Sequence, residues 1–252
     1  MNSGINAVLE AAKNTVIQHE ILLNNLSNID TTGFREQTFS LILDKKKNNV
    51  LKNKEYYLKP VVSYSDKPGS IQETNRLLDI APLQNYWITL KNPILNQEMY
   101  TRNGHMSIDS KNRLTVNNYL VLGEKGYIVI PNYENINFLE DGTIIYTIKG
   151  KKKYLGKLKL TWLRSKDVKK NGYSFCYDIF NKTIENKKIK ENNELMNEKK
   201  IKSKSLETSN VDLTKNLLQS IDCCRKFDFY TSIVGHDIEN NNLLNKFVDI
   251  NS

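Results

Sequence analysis

The apolar residues of this chain change their spacing twice. Over the first thirty residues they recur three or four apart, at Ile5, Val8/Leu9, Ala12, Val16, Leu22/Leu23, Leu26 and Ile29, with His19 on the same stripe. That spacing lays one apolar stripe along one face of a helix. The pattern stops at Asp30-Thr31-Thr32-Gly33, which is turn chemistry, and Gly33 can take a left-handed backbone that other residues resist. Phe34 follows as an apolar plug able to fold back on the helix end. Asn24, Asn25 and Asn28 are only fair helix formers, so packing or loop geometry is expected to require them.

The second spacing is short alternation. Residues 37–43 read as a strand, 44–59 as a solvated Lys/Asn connector, and 59–64 as a further strand before the turn Lys67-Pro68-Gly69. From about residue 75 the runs 86–90, 99–102, 105–108, 114–116, 119–123, 127–131, 143–148 and 158–163 read as strands bounded by turn residues. Asn103-Gly104 and Asp141-Gly142 each carry a hairpin signal. These runs predict a compact antiparallel β domain of roughly 100 residues, large enough to bury its own core. Residues 181–206 are Lys, Glu and Asn with few apolar residues, and read as a mobile linker or one ordered only by a partner.

The helical spacing then returns. Ser209 or Asn210 is a good N-cap, and Leu217, Ile221, Cys224, Phe227, Thr231, Val234 and Ile238 follow in steps of four and three, a heptad seam. The expected fold is α+β: long N- and C-terminal helices pairing as a coiled-coil-like layer, with a central antiparallel β domain. The segments are 1–36 (assembly helix and turn), 37–74 (connector), 75–180 (β domain), 181–206 (linker) and 207–252 (assembly helix). A helix with a one-sided stripe draws most of its stability from packing. Paired with each other, two such helices still have outer flanks to cover. They are expected to be loose in the free chain and to order on assembly.

Composition narrows the function. The apolar fraction is 39%, below the ~45–50% of ordinary globular chains, and mean hydropathy is −0.54. Net charge is +9, with lysine runs at 45–47 and 151–153. Such a balance suits an anionic partner, but no recognition helix, RNP-like strand or zinc knuckle accompanies it. Cys176, Cys223 and Cys224 make no disulfide framework. No run of 18 apolar residues spans a bilayer, and the N-terminus lacks the apolar core of a cleavable signal. His19, His105 and His236 fit no metal spacing, and no phosphate loop or nucleophile elbow occurs. An enzyme is not indicated. Arg102 reads as a structural residue of its hairpin.

Three separated segments carry a resemblance. Asn24-Asn25-Leu26-Ser27-Asn28 with Thr32-Gly33-Phe34 resembles the N-terminal signature of bacterial flagellar rod and hook proteins. Tyr100-Thr101-Arg102-Asn103-Gly104, with Leu122-Gly123 and Ile128 to Pro131, resembles their central run. Ser209-Asn210-Val211 and the helix ending Arg225-Lys226-Phe227-Asp228 resemble their C-terminal segment. Order and spacing match over nearly the whole chain. The central family turn is altered: Asp79, Ala81 and Trp87 remain, while Leu77 replaces a proline and Gln84-Asn85-Tyr86 replaces Gly-Asp-Gly.

Length and the opening run Ala11 to Gln18 look most like the family's proximal rod branch, with the distal rod or another axial protein as the alternative. The resemblance implies a structural subunit of a tubular axial drive shaft, without cofactors. Its partners would be proximal and distal rod proteins and copies of itself, reached by uncleaved export through the flagellar apparatus. It places assembly on Ile5, Val8, Ala12, Leu22, Leu26 and Ile29 set against Leu217, Ile221, Cys224, Phe227 and Val234. Asn25, Asn28, Gly33 and Phe34 would set the turn leaving the inner layer.

Overall fold

The computed structural model describes residues 3–46, 55–92, 96–131, 134–164, 167–170, 177–179 and 199–250. Cys176 and residues 181–198, most of the expected linker, lie outside them. The chain forms two compact units, one of Met1–Ser27, Gln37–Ser63 and Asp212–Ser252, the other of Asn28–Glu36 and Tyr64–Val211.

The first unit holds the helices α1 (Ser3–Ser27) and α2 (Leu213–Ile250) and a ribbon of β1 (Gln37–Lys46) with β2 (Glu55–Tyr64). The helices are formed and paired in the single chain. His19 Nε2 lies 2.9 Å from Ser220 Oγ, and Asn25 Nδ2 donates to Asn216 Oδ1 at 3.2 Å. Rising numbers in α1 meet falling numbers in α2, so the pair is antiparallel. On α1 the contact buries Ile21, Leu22 and Asn25; on α2 it buries Asn216 and Cys223.

That contact corrects the expected seam. Leu217, Ile221, Cys224 and Phe227 are exposed and Val234 is half-buried. The line of α2 against α1 runs through Asn216, Ser220 and Cys223, and of the predicted seam Cys224 still touches it, its Sγ 3.7 Å from His19 Nε2. Short polar side chains there hydrogen-bond across the contact, and Leu217, Ile221 and Phe227 are left exposed. The N-cap also differs. Asp212 Oδ1 accepts the N–H of Lys215 at 3.0 Å, so Asp212, rather than Ser209 or Asn210, caps α2.

Asn25 joins helix to ribbon. Its Nδ2 donates to the carbonyl of Gln37 and its Oδ1 accepts the Gln37 N–H, both at 2.9 Å. The amide thus imitates a strand partner for the first residue of β1.

The second unit is antiparallel β. Its main sheet runs in the order β15 (Val168–Lys170), β16 (Tyr177–Ile179), β6 (Glu98–Thr101), β5 (Tyr86–Lys91), β9 (Tyr119–Gly123), β8 (Leu114–Val116), β7 (Ser107–Ile108). β10 (Gly126–Tyr127) adds to β9, and β14 (Leu160–Trp162) to β5. A second sheet is β11 (Asn135–Phe138), β12 (Thr143–Ile148) and β13 (Lys151–Lys157). Ile80, Ile88, Leu90, Met106, Val121, Ile136 and Ile144 belong to the core. A second cluster packs Trp87, Tyr100, Leu163 and Val168 around Tyr177, whose ring meets Trp87 and Tyr64 edge-on at 5.1 and 5.2 Å.

Asp141-Gly142 turns the β11–β12 hairpin, with Gly142 at φ 91°. Asn103-Gly104 does not turn a hairpin: β6 pairs with β5 and β16, and β7 pairs with β8. Gly104 is needed for a different reason. A Cβ there would lie 1.6 Å from the carbonyl oxygen of Ile80. Residues 199–206, expected within the linker, belong to the body. β17 (Ile201–Ser203) pairs with β4 (Ile80–Pro82), and β18 (Ser205–Glu207) with β3 (Ile71–Glu73). Ile201 and Ser205 supply the burial that composition obscures.

Candidate assembly interface

The N- and C-terminal signature segments meet in the second unit. Gly33 donates its N–H to the carbonyl of Glu207 at 2.8 Å, and Glu36 donates to Asn210 Oδ1 at 2.6 Å. Gly33 sits at φ 70°, and a Cβ there would fall 2.5 Å from the carbonyl carbon of Arg102. Both the left-handed turn and the close approach require glycine. Phe34 beside it is 1% exposed, and Asn28 is buried, its Oδ1 accepting from Thr31 Oγ1 at 3.1 Å.

Beneath this crossing lies a buried charge network. Glu207 reaches Arg35 Nη2 through Oε1 at 3.0 Å and Arg102 Nε through Oε2 at 2.6 Å. All three side chains are within 2% of full burial. Arg102 also donates to the carbonyls of Pro82, Gln84 and Tyr86 and stacks 5.5 Å over Trp87. Arg35 donates to the carbonyls of Asp66 and Lys67.

Burial first, and the neighbouring Arg102 second, lower Arg35 to about 10. Burial likewise lowers Arg102 against the pull of Glu207. Arg35 therefore still carries its charge at neutral pH. One carboxylate faces two guanidiniums, and the carbonyls take up further donors, while Arg35 Nε is buried without a hydrogen-bond partner. Arg102 is structural, as its sequence suggested, but through a network instead of a hairpin. Arg35 and Glu207 carry no local signal. A buried ion pair between segments so far apart leaves no periodicity to read.

The first unit supplies the exposed surface. All but Ile71, Tyr127, Val129, Leu139 and Tyr154 of the exposed large apolar side chains among the described residues lie in it. On α2 the outward stripe is Leu217, Leu218, Ile221, Phe227 and Ile238; on α1 it is Leu9, Val16 and Leu23; on the ribbon, Leu41, Ile42 and Leu43. Of the predicted N-terminal residues, Leu22 is buried, and Ile5, Val8, Ala12, Leu26 and Ile29 are half-buried. Exposed apolar surface of this extent is the candidate interaction face. No helix among the described residues is long and apolar enough to cross a membrane.

No family model matches the chain. It is 32% identical to the flagellar basal-body rod protein FlgF of Buchnera aphidicola subsp. Schizaphis graminum, over the whole of both chains. It is 33% identical to that of Buchnera aphidicola subsp. Baizongia pistaciae, again over the whole of both. The Escherichia coli K12 protein of the same name is 31% identical over 144 residues, 57% of each chain.

Proposed function

The chain belongs to the flagellar basal-body rod protein FlgF family, and on that premise we propose that it is a proximal rod subunit whose paired terminal helices are completed by neighbouring subunits. Its work in this reading is mechanical: it carries torque along the axial shaft. Its neighbours are other proximal and distal rod proteins and copies of itself. It reaches the rod by the flagellar export route, without a cleaved signal.

The observation that carries the proposal is the outward apolar face of the helix pair. Leu217 and Ile221 are 46% and 50% exposed, and covering the exposed half of each stabilises by roughly 1 kcal/mol, about half the gain of full burial. That gain goes unused in a lone chain and is realised against a neighbour. The seam residues Ile5, Val8, Ala12 and Leu26 on α1, Ile29 just beyond it, and Leu217, Ile221, Cys224, Phe227 and Val234 on α2 then serve contacts between subunits.

The test is the double substitution Leu217→Asp/Ile221→Asp. Both sites face solvent, so the free chain keeps its helicity and its β unit. Incorporation into isolated basal bodies is expected to be lost. Normal incorporation and motility would refute the proposal.

A further inference from the structure

The lysine run Lys151-Lys152-Lys153 takes no part in the assembly described so far. It opens β13, whose place in the fold is unusual. β13 closes the sheet β11-β12-β13 and pairs only with β12 among the described strands. Only at its far end does the other edge find a neighbour, where Glu124 donates to the carbonyl of Lys157 at 3.0 Å. Along 151–154, all exposed, the outer edge has no strand partner among the described residues.

This open edge leads into a groove between the β9–β10 turn and β13, lined by Tyr127, Val129 and Tyr154. They are 48%, 53% and 62% exposed, and make up three of the five large apolar residues that the second unit leaves in solvent among the described residues. Lys91 lies 5.5 Å from the Tyr127 ring centroid. No carboxylate among the described residues pairs with Lys125, Lys151, Lys152 or Lys153. An open strand edge, exposed tyrosines and lysines without a carboxylate partner thus adjoin one another, Lys151 and Lys153 on one face of β13 and Lys152 and Tyr154 on the other.

We propose that β13 and this groove dock an extended acidic segment of another protein by strand addition. Backbone pairing with the open edge supplies affinity, and alternate side chains supply specificity: carboxylates opposite the lysines, apolar groups in the tyrosine groove. A second copy of the same edge is excluded by charge, because like charges set directly opposite are destabilising and edge lysines guard against such self-pairing. Tyrosines with lysines also suit a single-stranded nucleic acid. The regular donors and acceptors of the open edge decide for a polypeptide.

The experiment uses the full chain and a fluorescent peptide of about ten residues alternating glutamate and valine. Expected are saturable binding that weakens with salt, and slowed amide exchange at 151–154. Lys151→Glu/Lys153→Glu, or Tyr154→Ala, is expected to weaken binding at least about tenfold, a loss of ~1.4 kcal/mol or more. All three sites are exposed, so circular dichroism should be unchanged. A peptide N-methylated on alternate residues, keeping its side chains but not its edge donors, should lose affinity to the same degree. Absence of binding, indifference to either charge reversal or N-methylation, or tighter binding of an oligothymidylate would overturn the proposal.

Discussion

Glu207 is the residue on which the second unit turns. Removing its charge leaves Arg35 and Arg102 facing each other in a buried site, and breaking a buried pair from one side costs about 3–5 kcal/mol. Glu207→Gln keeps the shape, so urea unfolding followed through buried Trp87 should show a loss of that size. A loss under ~1 kcal/mol would mean that the carbonyl partners alone hold the arginines. Gly33→Ala meets both the left-handed φ and the Arg102 backbone, and should destabilise the same transition by at least ~1 kcal/mol. The turn at Gly33 was legible because turn chemistry is local. Glu207 was not, because its partner Arg102 lies 105 positions away.

Asp109 shows a pH effect at the same scale. It accepts the N–H of Arg113 at 2.7 Å, that of Lys111 at 2.9 Å and the Arg113 guanidinium at 2.8 Å. The Arg113 N–H foremost holds its carboxyl below the ordinary 3.8, against the opposing effect of desolvation. A folded value below the unfolded one gives stability that is present above the unfolded value and is lost as pH falls through the folded one. The turn between β7 and β8 should therefore loosen with a midpoint below 3.8, seen in the amide shifts of Leu114 to Val116. Asp109→Asn should abolish that step.

At the scale of elements, the sequence pattern located both helices and, through His19 and Leu22, the face of α1 at the contact, but not the α2 line that buries Asn216 and Cys223. Counting apolar residues in steps of three and four finds the greasiest stripe. The helix pair instead used the line where Asn25 meets Asn216 and His19 meets Ser220, hydrogen-bonding across the contact. Asn103-Gly104 misled in a similar way, because the dipeptide serves a tight crossing at Ile80 as readily as a hairpin. β17 and β18 were hidden by lysines that alternate with the few buried residues.

Asn25 carries the element-scale prediction. Asn25→Ala removes both bonds to Gln37 and the bond to Asn216, each worth roughly 0.5–1.5 kcal/mol net. Amide exchange should accelerate at the end of α1, the start of β1 and the first turns of α2, with the β unit unaffected. Unchanged protection at Gln37 would show that the ribbon start is held by something else.

For the whole molecule, the two units divide the labour. The β unit buries its core and its charge network internally, and so is expected to fold without neighbours. The helical unit keeps its largest apolar residues on the surface, which is costly for a free chain and useful for a subunit of a continuous shaft. The full-length likeness to FlgF proteins and this exposed surface come from independent observations and support one reading.

Cys224 lies between Ile221 and Phe227, exposed although its Sγ is 3.7 Å from His19 Nε2, and so provides a native reporter. In a Cys176→Ser/Cys223→Ser chain it is the sole thiol, and maleimide labelling can be compared between the dilute chain and purified basal bodies. Rapid labelling of the free chain with protection in the basal body is the predicted result. Equal labelling in both would contradict the claim that this face is covered by neighbouring subunits.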